Sequence, residues 1–122
     1  MLLDGAMGTM LQRKGLAPGA SSELVALEHP EWLEEIHGAY LAAGSNILYT
    51  DTFGANREKL ARTGKTPEEV ISAAVGVARR AAAGTGALVA LDVGPLARLI
   101  RPAGDLSFGE AYDQFAEMMT AG

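Results

Sequence analysis

The chain contains no cysteine, which excludes a disulfide scaffold, a thiolate metal site within these residues and a cysteine nucleophile. It has no surplus of basic side chains: 10 Lys and Arg stand against 15 Asp and Glu, for a formal charge of −5. Nucleic-acid binding usually needs a basic stripe, so nucleic acid is not an expected partner. No apolar run approaches the roughly 18–20 residues of a membrane span. The opening Met-Leu-Leu-Asp also lacks the basic start of a secretory signal. No membrane partner is therefore expected, and a cytoplasmic location is. Low-complexity tracts and Ser/Gly/Pro linkers are missing too.

What is there suits one modest globular unit. The 122 residues are 48% hydrophobic and 20% charged, with a mean hydropathy of +0.11. Three short apolar runs each end in aspartate: Leu2-Leu3-Asp4, Asn46 to Asp51, and Ala87 to Asp92. Runs apolar on both alternating faces fit strands of a parallel sheet covered on both sides.

Helices are predicted between and after them. The first starts at Pro30, repeats Leu33, Ile36, Tyr40 and Ala43, and stops at Gly44. The second opens on a capping box, Thr66 with Glu69, buries Val70, Ala74, Val77, Ala78 and Ala81, and ends at Gly84. Ser107 and Glu110 repeat the device, ahead of a stripe of Phe108, Ala111, Phe115 and Met118. Shorter helical turns are expected at Ser22–Leu27 and Asn56–Arg62. The order is βα repeated three times, with 1–122 as one unit. Three parallel strands cannot close a barrel of eight and leave edges open, so the sequence reads as part of a domain.

Ligands of parallel βα folds sit at the carboxyl ends of the strands, where Asp4, Asp51 and Asp92 fall. Three carboxylates there could hold a cation or an amino group; equally, aspartate starts turns and caps helices wherever strands end. Asp4-Gly5-Ala6-Met7-Gly8-Thr9 has two glycines but matches neither the dinucleotide fingerprint nor the lysine-bearing phosphate loop. It reads as a tight loop in which glycine lets the backbone approach a ligand or a strand. Thr50-Asp51-Thr52-Phe53-Gly54-Ala55-Asn56 combines hydroxyls, a carboxylate, a carboxamide and an aromatic ring, a mix that holds small polar ligands. The competing reading is a hydroxyl turn with Phe53 packed beneath it. His29 and His37 are not spaced as a metal pair. His37 is placed on the polar flank of its helix, His29 in the turn before Pro30, and Trp32 in the core. Arg57, Lys59, Arg79 and Arg80 read as solvated faces, and Met118-Met119 as the end of an apolar stripe.

Taken together and in order, these motifs resemble the zinc-dependent homocysteine S-methyltransferases. The likeness runs from Asp4–Leu11 through Leu27–Trp32, Ile36–Tyr40, Ala43–Ile47, Thr52–Asn56 and Val93–Pro95. A weaker match follows at Asp105–Phe108 with Ala111-Tyr112. Within the family it most resembles the amino-terminal module of cobalamin-dependent methionine synthases. The resemblance implies an α/β fold, the first three βα units of a parallel (β/α)8 TIM barrel, incomplete over 1–122. It implies methyl transfer to the thiolate of homocysteine, giving methionine. Zinc would be held by three cysteines of later strands, outside this chain. Methyltetrahydrofolate as donor and cobalamin as carrier would come through other modules, with betaine and S-methylmethionine as open alternatives. Carried onto this sequence, it puts Asp4 and Gly5 near the substrate amino and carboxylate groups and has Thr52 and Phe53 lining the pocket. Asp51 and Asp92 complete the candidate set. Relatives commonly carry Asn where this chain has Asp51, whose charge repels a carboxylate and favours an amine. Without zinc ligands, this segment alone is not expected to catalyse. The contrasting expectation is a non-catalytic module that completes its sheet with another chain.

Overall fold

Local signals set most helix ends in the computed structural model, which describes residues 1–122. Both capping boxes form. Thr66 Oγ1 accepts from Glu69 N–H and the Glu69 carboxylate accepts from Thr66 N–H, with the same reciprocal pair at Ser107 and Glu110. Each satisfies two backbone donors that a helix start otherwise strands. They open α5 (Pro67–Ala82) and α6 (Phe108–Ala121). Ahead of these come α1 (Gly8–Lys14), a 3-10 turn (Ser22–Leu24), α2 (Val25–Glu28), α3 (Pro30–Ala42) and α4 (Arg57–Leu60), the last capped by Asn56 Oδ1. Pro30 does stand at the start of α3, and Gly44 and Gly84 adopt the left-handed φ expected after their helices. The short turns expected at Ser22–Leu27 and Asn56–Arg62 correspond to the 3-10 turn with α2, and to α4.

The strands are shorter than expected. β1 (Ile47–Tyr49) and β2 (Leu88–Ala90) pair in parallel, Ile47 opposite Leu88 and Tyr49 opposite Ala90. The expected first strand is reduced to one parallel bridge between Leu3 and Ile47. The structure thus holds a two-stranded parallel sheet plus a bridge rather than three full βα units. Nor are the strands covered on both faces. Leu48 is fully buried, whereas Tyr49 is 38% and Leu88 57% exposed. Because side chains alternate across a strand, the Leu48 and Val89 face packs inward and the Ile47–Leu88 and Tyr49–Ala90 face stays open.

Helix α5 organises the core, touching α2, α3, α6 and both strands. One apolar cluster joins Leu11, Val25, Ala26, Leu33, Ile36, Ala74 and Val77; a second joins Ala55, Leu60, Val70, Ile71, Val75 and Met118. Packing on two sides widens the buried face of α5 beyond the expected stripe to Ile71, Val75 and Ala82, and leaves Ala81 only half-buried.

Several expectations need correction. Helix α1 begins inside the Asp4–Thr9 segment read as a tight loop and goes unannounced in the sequence reading, although Met7, Met10 and Leu11 at helical spacing and Gly15 after Lys14 mark it. His37 is not on a polar flank; it is fully buried, because it follows Leu33 by one turn on the face that packs inward. Ala43 is exposed, and Trp32 is half-buried with its ring stacked on His29 at 4.3 Å. On α6, Ala111, Gln114 and Met118 turn inward while Phe108 is 75% exposed and Phe115 half-buried. Met119 is exposed as well. The apolar stripe of α6 is therefore split, one edge on α5 and the other on the surface. Of the cationic residues, Arg57 pairs with Glu117 and Arg80 with Glu34, both at 2.8 Å on exposed faces. Lys59 Nζ lies 5.5 Å from the Phe53 ring centre.

Candidate functional site

The carboxyl ends of the three parallel segments bring Asp4, the loop after β1 and the loop after β2 onto one rim. Asp4 N–H donates to the Ile47 carbonyl at 3.0 Å, and Tyr49 N–H donates to Asp4 Oδ2 at 3.0 Å. The side chain reaches across β1 and is fixed there, only 2% exposed. Oδ1 is buried and has no partner. Burial raises the Asp4 pKa, opposed by the Tyr49 N–H and reinforced by the negative charge of Asp92.

Behind Asp4 stands His37, with Nδ1 at 4.0 Å from Oδ2 and both ring nitrogens unpartnered. Burial lowers the His37 pKa to about 4, so the ring is neutral near pH 7. Tyr40, one turn further along the same face of α3, donates its hydroxyl to the Ala6 carbonyl at 2.7 Å. Its ring leaves little room over Gly5, where a Cβ would sit 3.0 Å from the ring edge. The N–H groups of Gly5 and Ala6 make no hydrogen bond within the chain. They are two exposed donors next to a buried carboxylate.

Thr50, Thr52 and Asp92 form a closed circuit. Asp92 N–H donates to Thr50 Oγ1 at 3.0 Å, the two hydroxyls meet at 2.7 Å, and Thr52 Oγ1 donates to the Asp92 carbonyl at 2.7 Å. A backbone carbonyl can only accept, so Thr52 gives it its proton. Thr50 must then donate to Thr52, and the direction around the circuit is fixed. Thr52 N–H is likewise committed, to the Thr50 carbonyl at 3.0 Å. Thr52 is fully buried and binds the two loops together, while Phe53 next to it is 52% exposed. Gly94 N–H donates to the Phe53 carbonyl at 3.1 Å, and a Cβ on Gly94 would lie 2.3 Å from that oxygen.

Asp51 is buried, with Oδ1 accepting from Ser22 Oγ at 3.1 Å and Oδ2 unpartnered. Burial pushes its pKa up to about 6; the Ser22 hydrogen bond opposes this, and the charges of Glu23 and Asp92 add to it. Burial also raises the Asp92 pKa. Asp92 thus acts electrostatically on both Asp4 and Asp51, and the three carboxylates share one field. Glu23 roofs this region: Gly54 N–H donates to its Oε1 at 2.7 Å, and Ser21 Oγ donates to Oε2 at 2.5 Å. No group of three His, Asp or Glu side chains is arranged to hold a metal ion. The largest surface groove lies between α5 and α6, lined by residues such as Thr66, Ser72, Asp113 and Glu117, and includes none of the rim.

Tyr40, His37 and Glu23 were not picked out as site residues from the sequence. His37 and Tyr40 carried a readable signal, falling at the third and fourth positions of the series Leu33, Ile36, His37, Tyr40. Glu23 acts through a contact 31 residues away, which no local pattern announces.

The sequence profile of the homocysteine S-methyltransferase family matches residues 1–122. The chain belongs to the homocysteine S-methyltransferase family. Betaine–homocysteine S-methyltransferase 1 of Sus scrofa is 37% identical over 94 residues, covering 71% of this chain and 34% of that protein. The Danio rerio enzyme of that name is 36% identical over 92 residues, covering 71% of this chain and 23% of that protein. Among solved structures, the metallated form of the Escherichia coli homocysteine methyltransferase MmuM superposes with a TM-score of 0.78 at 28% identity. It matches all of this chain and 51% of its own. The apo form gives 0.65. The chain therefore spans about half the length of these structures and a third or less of the curated relatives. The α/β arrangement with parallel strands is that of the N-terminal part of a homocysteine methyltransferase barrel. No helix is long and apolar enough to cross a membrane.

Proposed function

We propose that residues 1–122 build the amino-acid-recognising side of a homocysteine site in an enzyme that methylates the homocysteine thiolate to give methionine. The observation that carries this reading is the pairing on one loop of a fixed, partnerless Asp4 Oδ1 with the free N–H groups of Gly5 and Ala6. An α-amino acid presents an ammonium and a carboxylate on one carbon. Asp4 suits the first and the two N–H groups suit the second, each as a charge-assisted hydrogen bond. Asp4 is nearly inaccessible, so binding requires its neighbours to move as the ammonium enters.

The other residues shape and bias this pocket. The negative field of Asp51 and Asp92 disfavours a substrate carboxylate near the loop after β1 and directs it toward Gly5 and Ala6. Phe53 offers an exposed ring to the substrate's carbon chain. Thr52 acts from beneath, holding Phe53 and Asp92 in register through its hydroxyl.

The zinc of the family does not fit this chain's own residues: there is no cysteine and no metal-holding cluster. Its ligands would come from the remainder of such a barrel, and no step through the metal is assigned to residues 1–122. The choice of methyl donor is not written in these residues. The curated relatives are named for betaine, which supports a betaine-type donor. Methyltetrahydrofolate with cobalamin rests on the motif resemblance to methionine synthases. Further barrel or methionine synthase modules would be the partners. The exposed apolar residues of β2 and α6, Leu88, Phe108 and Tyr112, support completion by more protein, which a non-catalytic module would also need.

The test is a methyl-transfer assay on the full-length protein with homocysteine and, in turn, betaine, S-methylmethionine and methyltetrahydrofolate with cobalamin. Methionine formation with any donor supports the reading. Its absence with all, in protein that binds no homocysteine, overturns it.

A further inference from the structure

We propose that His37 is a positioning residue for Asp4, holding its carboxylate so that one oxygen is reserved for the substrate ammonium; this rests on the homocysteine reading above. The position is one where an apolar side chain would serve packing better. His37 is fully buried beside Leu33 and Ile36, yet neither ring nitrogen has a partner. Burying a polar group without a hydrogen bond is costly, and the acidic group that faces the ring is Asp4, its Oδ2 4.0 Å from Nδ1.

An approach of about 1 Å brings that pair into hydrogen-bonding range. The ring is neutral, so it has one N–H to give, and the matching tautomer carries the proton on Nδ1. Oδ2 would then accept from Tyr49 N–H on one side and His37 on the other. Both donors satisfy the same oxygen and pin the carboxylate plane. Oδ1, which has no partner now, is left to the ligand. Entry of an ammonium at Oδ1 favours the ionised carboxylate, the form that accepts from both Tyr49 N–H and His37. His37 touches no substrate; it acts through Asp4.

The experiment compares homocysteine with mercaptobutyrate, the same thiol acid without the amino group, by calorimetric titration of the full-length protein, wild-type, His37→Leu and His37→Asn. We expect wild-type protein to prefer homocysteine. In His37→Leu that preference should fall about ten-fold, the scale of a hydrogen bond to a charged group, with mercaptobutyrate affinity unchanged. His37→Asn, which returns an N–H near the Nδ1 position, should recover most of it. A preference undiminished in His37→Leu, or equal losses for both ligands, overturns the role of His37 and leaves the homocysteine reading standing. A wild-type protein without any preference overturns both. Nitrogen-15 NMR of wild-type His37 is independent of whether the variants fold. An Nδ1–H tautomer whose shift moves on adding homocysteine supports the proposal, and an Nε2–H tautomer overturns it.

Discussion

The Thr52 hydroxyl donates to the main-chain carbonyl of Asp92 at 2.7 Å, across 40 residues of sequence. This bond closes the circuit that locks the loop after β1 to the loop after β2. Thr52→Val keeps the side-chain shape but leaves the Asp92 carbonyl without its hydroxyl donor and the Thr50 O–H without its acceptor. The expected loss is ~1–3 kcal/mol of stability, read as a lower urea midpoint of the full-length protein. Thr52→Ser should stay near wild type. Equal losses in both variants would mean that the methyl group, not the hydroxyl, matters.

Asp51 gives a pH signature. Its pKa rises from 3.8 to about 6 on folding, so between those values the folded state binds more protons than the unfolded state. Stability must then fall as pH climbs through that window. The decline amounts to ~3 kcal/mol at about 1.4 kcal/mol per pH unit, complete above about pH 6. Asp51→Asn keeps an acceptor for Ser22 and removes the titration. Its stability should exceed wild type at neutral pH and lose this slope. Urea unfolding across pH 4–7 checks both; parallel wild-type and mutant curves would contradict the assignment.

Gly94 and Gly54 should respond unequally to alanine. A Cβ at Gly94 meets the Phe53 carbonyl at 2.3 Å and its ring at 2.8 Å, whereas at Gly54 it meets the carboxylate end of the Glu23 side chain. Gly94→Ala must push the Phe53 loop and is expected to cost ~1–3 kcal/mol and weaken homocysteine binding. Gly54→Ala should cost less, since Glu23 can rotate away. Equal effects in thermal unfolding would show that the Phe53 loop yields freely.

The caps are the simplest case. Thr66→Ala and Ser107→Ala each remove a side-chain acceptor at a helix start and should each lose ~1 kcal/mol. They lie on different helices, so the double variant should lose close to the sum.

These caps were legible in the sequence because a capping box is read within four residues. So were the strand-end aspartates, and the family, whose motifs run along the whole chain in order. The rim's internal wiring was not. Thr52 looked like a pocket-lining hydroxyl because nothing local shows that Asp92 takes its proton. His37 looked like a flank residue because it is polar, although its place one turn after Leu33 puts it inside. Phe108 and Met119 looked like core because they are apolar; α6 presents more apolar surface than α5 covers. Strand length failed for a similar reason: the Leu2-Leu3 run is apolar, but only Leu3 pairs with its neighbour, as a single bridge.

The central claim is that Asp4 receives the homocysteine ammonium. The direct measurement is homocysteine affinity and bound zinc in the full-length protein, wild-type against Asp4→Asn. The account predicts about ten- to hundred-fold weaker homocysteine binding, the loss of a charge-assisted hydrogen bond, with zinc content unchanged. Zinc lost in parallel with affinity, or affinity left at the wild-type value, would contradict it.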